Sequence, residues 1–208
     1  ESGCRCISRK AAKIFSVQTG LIHKVAQRER DKLWPDELTA IGLEPGRALS
    51  STAEIDAPAE TVWQRITEPG HLRHCHPFCA SNVIERWPGA GARDRIKYYC
   101  GREYVRNFLG WFEDVGYDIE LGDRPDATAR VRWRISATPE STSQLSIEVI
   151  PYLRSAQSKV NKAEYQSRLF GQDLKQYLEC VTKGVAFWVV TGQDVVKDQF
   201  GANPLYSG

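Results

Sequence analysis

Three imidazoles and two thiols crowd one short stretch of the chain: His71, His74, Cys75, His76 and Cys79. These are the donor types that bind zinc. His71 and His74 would share a helical face, but Pro77 breaks a helix there and no second Cys/His group follows. A metal site is therefore not expected, and neither is a bound cofactor. A second pair, Cys4 and Cys6, brackets Arg5. That spacing suits neither a zinc knuckle nor a CxxC redox couple. Six cysteines in 208 residues are too sparse for a disulfide scaffold, so the reading is reduced thiols in a cytoplasmic protein.

Charge is the next source of chemistry. The chain has 28 Lys and Arg against 26 Asp and Glu, and 41% of it is hydrophobic. Near-neutrality gives no steering field for nucleic acid, which is excluded as a partner. The apolar content excludes wholesale disorder, and no apolar run approaches the ~18 residues of a membrane-spanning helix. The sum hides a gradient: residues 1–32 carry eight basic and three acidic side chains. The plain reading of this arm is a solvated helix capping the domain. The functional alternative is docking on an anionic membrane surface, worth ~1 kcal/mol per Lys or Arg, which would make the protein membrane-peripheral. The acid-poor run from Ser2 to Arg28 also has the composition of a transit segment. The chain contains no Met, so Glu1 is read as a trimmed or processed start.

The elements that must position any site begin after this arm. Leu21 to Trp34 has a helical apolar stripe that Trp34-Pro35 should end, and Leu43 to Gly46 reads as a turn and boundary. Residues 1–47 are expected to be a partly helical extension without strands. Ala48 to Ile55 alternates as a strand; Pro58 then starts a short helix burying Val62, Trp63 and Ile66. A second short helical turn spans His71 to Cys75. Strands are predicted at Asn82–Trp87, Arg93–Cys100, Glu103–Phe112, Gly116–Leu121, Arg130–Ala137 and Gln144–Ile150. A long helix, Asn161 to Val190, would run about 45 Å, with Phe170, Leu174, Tyr177, Leu178, Val181, Val185, Trp188 and Val189 on one stripe. The tail from Gln193 to Gly208 is expected to be loosely held. This order predicts an α+β domain, with an antiparallel sheet of about seven strands burying one face against the long helix.

A two-residue type II′ turn at Gly101-Arg102 would fix one hairpin register. It pairs Tyr98 with Val105 and Ile96 with Asn107, so Ile96, Tyr98, Val105, Leu109 and Trp111 face the helix. Asn107 then points inward among apolar groups, either as a ligand anchor or as a buried amide satisfied by the protein. Arg106 turns inward only if the register slips. Trp133, Ile135, Ile147 and Val149 extend the same wall. From the helix, Tyr177, Val181, Gly184 and Trp188 would complete it, Gly184 leaving either room for a ligand or room for close packing.

The stretches Ser51–Pro77 (STAEIDAPAETVWQRITEPGHLRHCHP), Glu85–Gly101 (ERWPGAGARDRIKYYCG) and Leu169–Gly184 (LFGQDLKQYLECVTKG) resemble a known family. It is the START/Bet v 1-like helix-grip superfamily, in its bacterial polyketide cyclase/dehydrase and lipid-transport branch. The resemblance covers about residues 48–191, leaving 192–208 as a tail. It implies a curved antiparallel sheet wrapped around the C-terminal helix, with two short helices after strand 1 and an apolar cavity inside. The family often has a His-Pro at this place without metal, which puts His76 at the cavity rim. The implied function is binding or transport of a hydrophobic small molecule (a lipid, quinone or polyketide-like compound). The alternative is a cyclase/aromatase-like enzyme using the same cavity. The predicted inward face offers Tyr98, Asn107 and Glu103 but no acid–base dyad, so a buried, perturbed titratable group in the cavity would discriminate the two.

Overall fold

The computed structural model describes residues 34–139, 141–169 and 172–208. The chain divides into two units, the first ending at Ile41 and the second spanning Gly42–Gly208. In the first, residues 34–40 are helical and the Ile41 N–H closes the last turn on the Leu38 carbonyl at 3.0 Å. Helix therefore continues past Pro35 to residue 40, and Trp34-Pro35 does not end it as expected. The Cys4/Cys6 pair, the basic arm and the helix predicted upstream of Trp34 lie outside the described residues.

The second unit is an α+β domain with eight antiparallel strands: β1 Leu43–Pro45, β2 Leu49–Ile55, β3 Cys79–Arg86, β4 Arg93–Tyr98, β5 Glu103–Phe112, β6 Gly116–Leu121, β7 Ala129–Ala137 and β8 Ser143–Arg154. Their order is β1-β8-β7-β6-β5-β4-β3, and β2 also pairs with β8. The twelve-residue β8 serves two partners. Ser143 to Val149 pairs with β2, and Tyr152 to Arg154 pairs with β1. Leu43–Pro45 is thus a strand and not the predicted turn. Gly46 lets the chain cross from β1 to β2, because its N–H bonds the Pro151 carbonyl at 2.7 Å and a Cβ there would crowd that oxygen.

Four helices complete the unit: α1 Ala59–Ile66, α2 Leu72–Cys75, α3 Lys159–Leu169 and α4 Gln172–Thr191. The first buries Val62, Trp63 and Ile66, the face its spacing predicts. The expected single helix is recorded as α3 and α4, with Phe170 outside the described residues. Leu178, Val181, Val185, Trp188 and Val189 of α4 enter the core cluster together with the inner faces of β4, β6, β7 and β8. Ser51 of β2 ties α4 to the sheet through a 3.0 Å bond to Thr182.

The β4–β5 hairpin departs from the expected register. Its loop has three residues, Tyr99 to Gly101, closed by the Tyr98 N–H on the Arg102 carbonyl at 2.8 Å. The Gly101 N–H returns to the Tyr98 carbonyl at 2.9 Å with φ +86°. Glycine thus takes the left-handed third position of a three-residue loop, not the first position of a type II′ turn. Ile96 consequently pairs with Tyr104 and Asp94 with Arg106. The shift is odd, so every β5 side chain before the bulge changes face. Tyr104, Arg106 and Phe108 take the helix side, while Val105, Asn107 and Leu109 do not. A bulge between Phe108 and Gly110 then returns Trp111 to the inner side, opposite Tyr117.

The tail also differs from expectation. It lies along the domain as a strap: the Val195 N–H bonds the His74 carbonyl at 2.8 Å, the Asp198 N–H that of Pro77 at 3.1 Å, and the Cys100 N–H that of Tyr206 at 3.2 Å. Asn203, fully buried, donates to the Asp173 carbonyl at 2.7 Å and accepts the Leu205 N–H at 3.0 Å. A polar composition reads as loose when its bonds run to distant segments that spacing cannot reveal.

Candidate functional site

Between the sheet and α4 lies a cavity of about 150 Å³. Every strand from β4 to β8 contributes: Ile96 and Tyr98; Tyr104 and Arg106; Ile119 and Leu121; Ala129, Val131 and Trp133; Ile147, Val149 and Pro151. Leu72 of α2, Tyr165 of α3, and Leu174, Tyr177, Leu178 and Val181 of α4 close the helical side. His76, Thr128 and the strap's Tyr206 complete the wall. Alternation along the strands explains the apolar lining, since the inward set of β7 and β8 is the one the sequence pattern marks. Tyr165 is placed there because α3 is pinned to the β1 end, through Lys162 to Glu44 at 3.0 Å and the Arg47 N–H to Gln166 at 3.1 Å.

Three of the cavity's polar side chains form a hydrogen-bonded chain. His76 Nδ1 lies 3.2 Å from the Phe78 N–H, which can only donate, so this nitrogen accepts and the proton sits on Nε2. Nε2 then donates to the Tyr177 hydroxyl at 3.0 Å, and Tyr177 stands 2.8 Å from the Tyr98 hydroxyl. Burial, with the nearby Arg106 charge, pushes His76 down to about 3, so the ring is neutral. Burial raises both tyrosine hydroxyls well above their usual range. Tyr206 covers the pair, its ring 4.4 Å from Tyr177 and 4.7 Å from Tyr98, and is itself pushed up to about 12 by burial.

The cavity's one buried cation is neutralised at once. Arg106, 4% exposed, makes two bonds to Asp94, which is fully buried: Nε to Oδ1 at 2.7 Å and Nη2 to Oδ2 at 2.5 Å. Burial raises the Asp94 carboxyl, but the Arg106 charge and its bonds outweigh this and hold it below the usual range. Beneath the cavity floor His71 is neutral too, pushed down to about 3 by burial and Arg106. Its Nδ1–H donates to the Glu68 carbonyl at 3.2 Å and its Nε2 accepts from Tyr117 at 3.3 Å.

Residues 47–179 match the family model described as polyketide cyclase / dehydrase and lipid transport. The chain belongs to that family. The fold is a Bet v 1-like helix-grip fold, as similarity to solved structures shows. Ara h 8.0201 is 13% identical with a TM-score of 0.51, over 71% of this chain and 98% of its own. TTHA0849 from Thermus thermophilus is 13% identical with a TM-score of 0.53, over 69% and 97%. DynU16, from the dynemicin biosynthetic locus, is 13% identical with a TM-score of 0.51; the match covers 74% of this chain but about half of that one, 52%. No curated protein sequence matches the chain.

Of the residues expected to face a ligand, this member of the polyketide cyclase/dehydrase and lipid-transport family brings Ile96, Tyr98, Trp133, Ile147, Val149, Tyr177 and Val181 to its cavity. His76 lies inside it, 4% exposed, rather than at its rim. Val105, Asn107 and Leu109 are turned away by the register. Asn107 is bonded instead to Arg93 at 2.6 Å and to the Gly122 carbonyl at 2.8 Å. Trp111 and Ile135 are inward but pack in the core away from the cavity. Trp111 meets Trp63, Trp87 and Tyr117 at 5.4, 5.1 and 5.9 Å. At Gly184 a Cβ would stand 2.2 Å from the Cys75 carbonyl oxygen, so the missing side chain serves close contact with the end of α2. Trp188 stacks on His74 at 5.6 Å.

The His/Cys cluster is dispersed by its partners. His74 bonds Asp194 at 2.8 Å, and His71 and His76 use both ring nitrogens as described. Cys75 and Cys79 are buried free thiols; burial pushes Cys79 up to about 12. Sequence reasoning missed Tyr104 and left Arg106 conditional on a register slip, which the structure makes; it also missed Tyr206, which depends on the strap. Ile119, Leu121 and Val131 were legible as inward alternation. Among the described residues no helix is long and apolar enough to cross a membrane.

Proposed function

We propose that the protein binds a hydrophobic small molecule in the cavity between its sheet and α4. One observation carries this reading: a mostly apolar space faced by five strands and three helices, in which His76, Tyr177 and Tyr98 are bonded to one another. Apolar burial supplies the affinity and the polar groups fix orientation. The volume sets the scale. About 150 Å³ takes roughly one aromatic ring, well below the ~300–1,000 Å³ of drug-sized sites. A ring-sized compound, or the ring end of a longer chain, fits without rearrangement. Native mass spectrometry of the purified protein, with organic extraction of the same sample, tests it. The expected result is a retained or competable apolar ligand; a protein that carries none and takes up none of a panel of ring compounds overturns it.

Catalysis in the same cavity, of the polyketide cyclase kind, has one observation in its favour: titratable groups line the space. Their environments argue for binding instead. A general acid or base works best with its pKa near the operating pH. His76 lies far below that and the tyrosines far above, each held neutral. They are suited to donating and accepting hydrogen bonds rather than exchanging protons. A dehydrative cyclisation would release one water from a bound poly-ketone, which mass spectrometry of the incubated ligand reads directly.

A further inference from the structure

From the hydrogen-bond polarity of the cavity we infer the class of its ligand: a neutral ring compound carrying an acceptor oxygen, such as a ketone. The inference rests on the binding reading above and adds to it the chemistry of recognition. Counting protons gives the argument. The Phe78 N–H fixes the His76 tautomer, so the imidazole offers one proton, from Nε2, to Tyr177. Tyr98 and Tyr177 hold two hydroxyl protons and need one between them for their 2.8 Å bond. One hydroxyl proton is left over, whichever tyrosine donates to the other. Both residues line the cavity, so this surplus donor faces the ligand space.

The surplus cannot leave as an ion, because burial holds both hydroxyls protonated. A buried donor without an acceptor is costly, so the site favours a ligand that brings one. The same surroundings disfavour an anion. Arg106 is already neutralised by Asp94, His76 is uncharged, and a charge moved into apolar surroundings without a partner ion loses its hydration. Volume adds the ring, and the aromatic walls of Tyr98, Trp133, Tyr177 and Tyr206 suit a flat one.

The test is a matched set of probes: acetophenone, α-methylstyrene, in which a methylene group replaces the carbonyl oxygen, and benzoate. Binding is followed by protein NMR, and the carbonyl stretch of bound acetophenone by infrared difference spectroscopy. The ketone is expected to bind about three- to tenfold more tightly than the alkene, the range of one net hydrogen bond. Benzoate is expected to bind more weakly than either. The bound carbonyl should absorb at lower frequency than in hydrocarbon. Tyr98→Phe and Tyr177→Phe should each keep a ketone preference, since the remaining hydroxyl then has the free proton. Of the bonded chain the double variant leaves only the weaker imidazole donor, so the frequency shift should shrink, while Tyr104→Phe leaves it in place. Equal binding of ketone and alkene, a carbonyl band at its hydrocarbon position, or an unmoved band in the double variant overturns the inference and spares the binding reading. Failure of all three probes to bind overturns both.

Discussion

At the scale of single residues the cavity is governed by burial acting on neutral and paired groups. His71 and His76 are both held near 3, whereas in the unfolded chain they protonate near 6.5. Between these values the unfolded state binds more protons. The associated stability is complete above pH ~6.5 and is lost as pH falls toward ~3. Unfolding free energy should therefore decline from about pH 6.5 downward; an imidazole of either residue that titrates above about pH 6 in ¹⁵N spectra contradicts this. The Asp94–Arg106 pair gives a second expectation. Removing one partner of a buried pair costs about 3–5 kcal/mol, because the other charge is left in the interior. Asp94→Ala should lose about that much in denaturant unfolding, and Asp94→Leu with Arg106→Met should recover most of it. If single and double variants lose equally, the pair is not the reason for its own burial. None of this was legible in the sequence. Asp94 and Arg106 stand on alternating strands like surface charges, and only the true register sets them opposite one another.

At the scale of elements, long-range contacts decide what local pattern leaves open. The alternation of β6, β7 and β8, the amphipathic face of α1 and the stripe of α4 were readable, because each expresses burial with its own period. The β4–β5 register was not, since Gly101 fits two turns and the choice moves every β5 partner. Gly184 was open for the same reason: a glycine on an apolar stripe can leave space or consume it. The structure separates the cases energetically. Were there space, Gly184→Ala would gain about 1 kcal/mol of helix propensity. With the Cys75 carbonyl oxygen 2.2 Å from the new Cβ, it should instead destabilise, by about 1–3 kcal/mol as overpacking does. Chemical denaturation of the one variant decides the sign. The strap is held chiefly by its own bonds, so Asn203→Ala should release it. Amide exchange at Cys100 and Val195 should then quicken, while the core amides of β7 and β8 stay protected. Unchanged protection at Cys100 would mean that Tyr206 is held in place without Asn203.

At the scale of the whole molecule, the fold class and its cavity follow from the order of elements: strand, two short helices, a run of antiparallel strands, and a helix to close them. A sheet this long, curved over one helix, leaves a volume that side chains from five strands and three helices line but do not fill. Family membership agrees with the proposed site for an apolar molecule. The cavity's size narrows that to a ring-sized group, and its polar chain to one bearing an acceptor. The most direct test of the account fills the space. Val149→Phe adds an aromatic ring from β8 to a cavity of about 150 Å³, and the variant's circular dichroism and amide spectrum report whether the fold persists. Acetophenone binding is then followed by NMR in wild type and variant. The account predicts saturable shifts around Tyr98, Trp133 and Tyr177 in the wild type and their loss in the folded variant. Equal binding to both proteins, or shifts confined to residues outside the cavity, would contradict it.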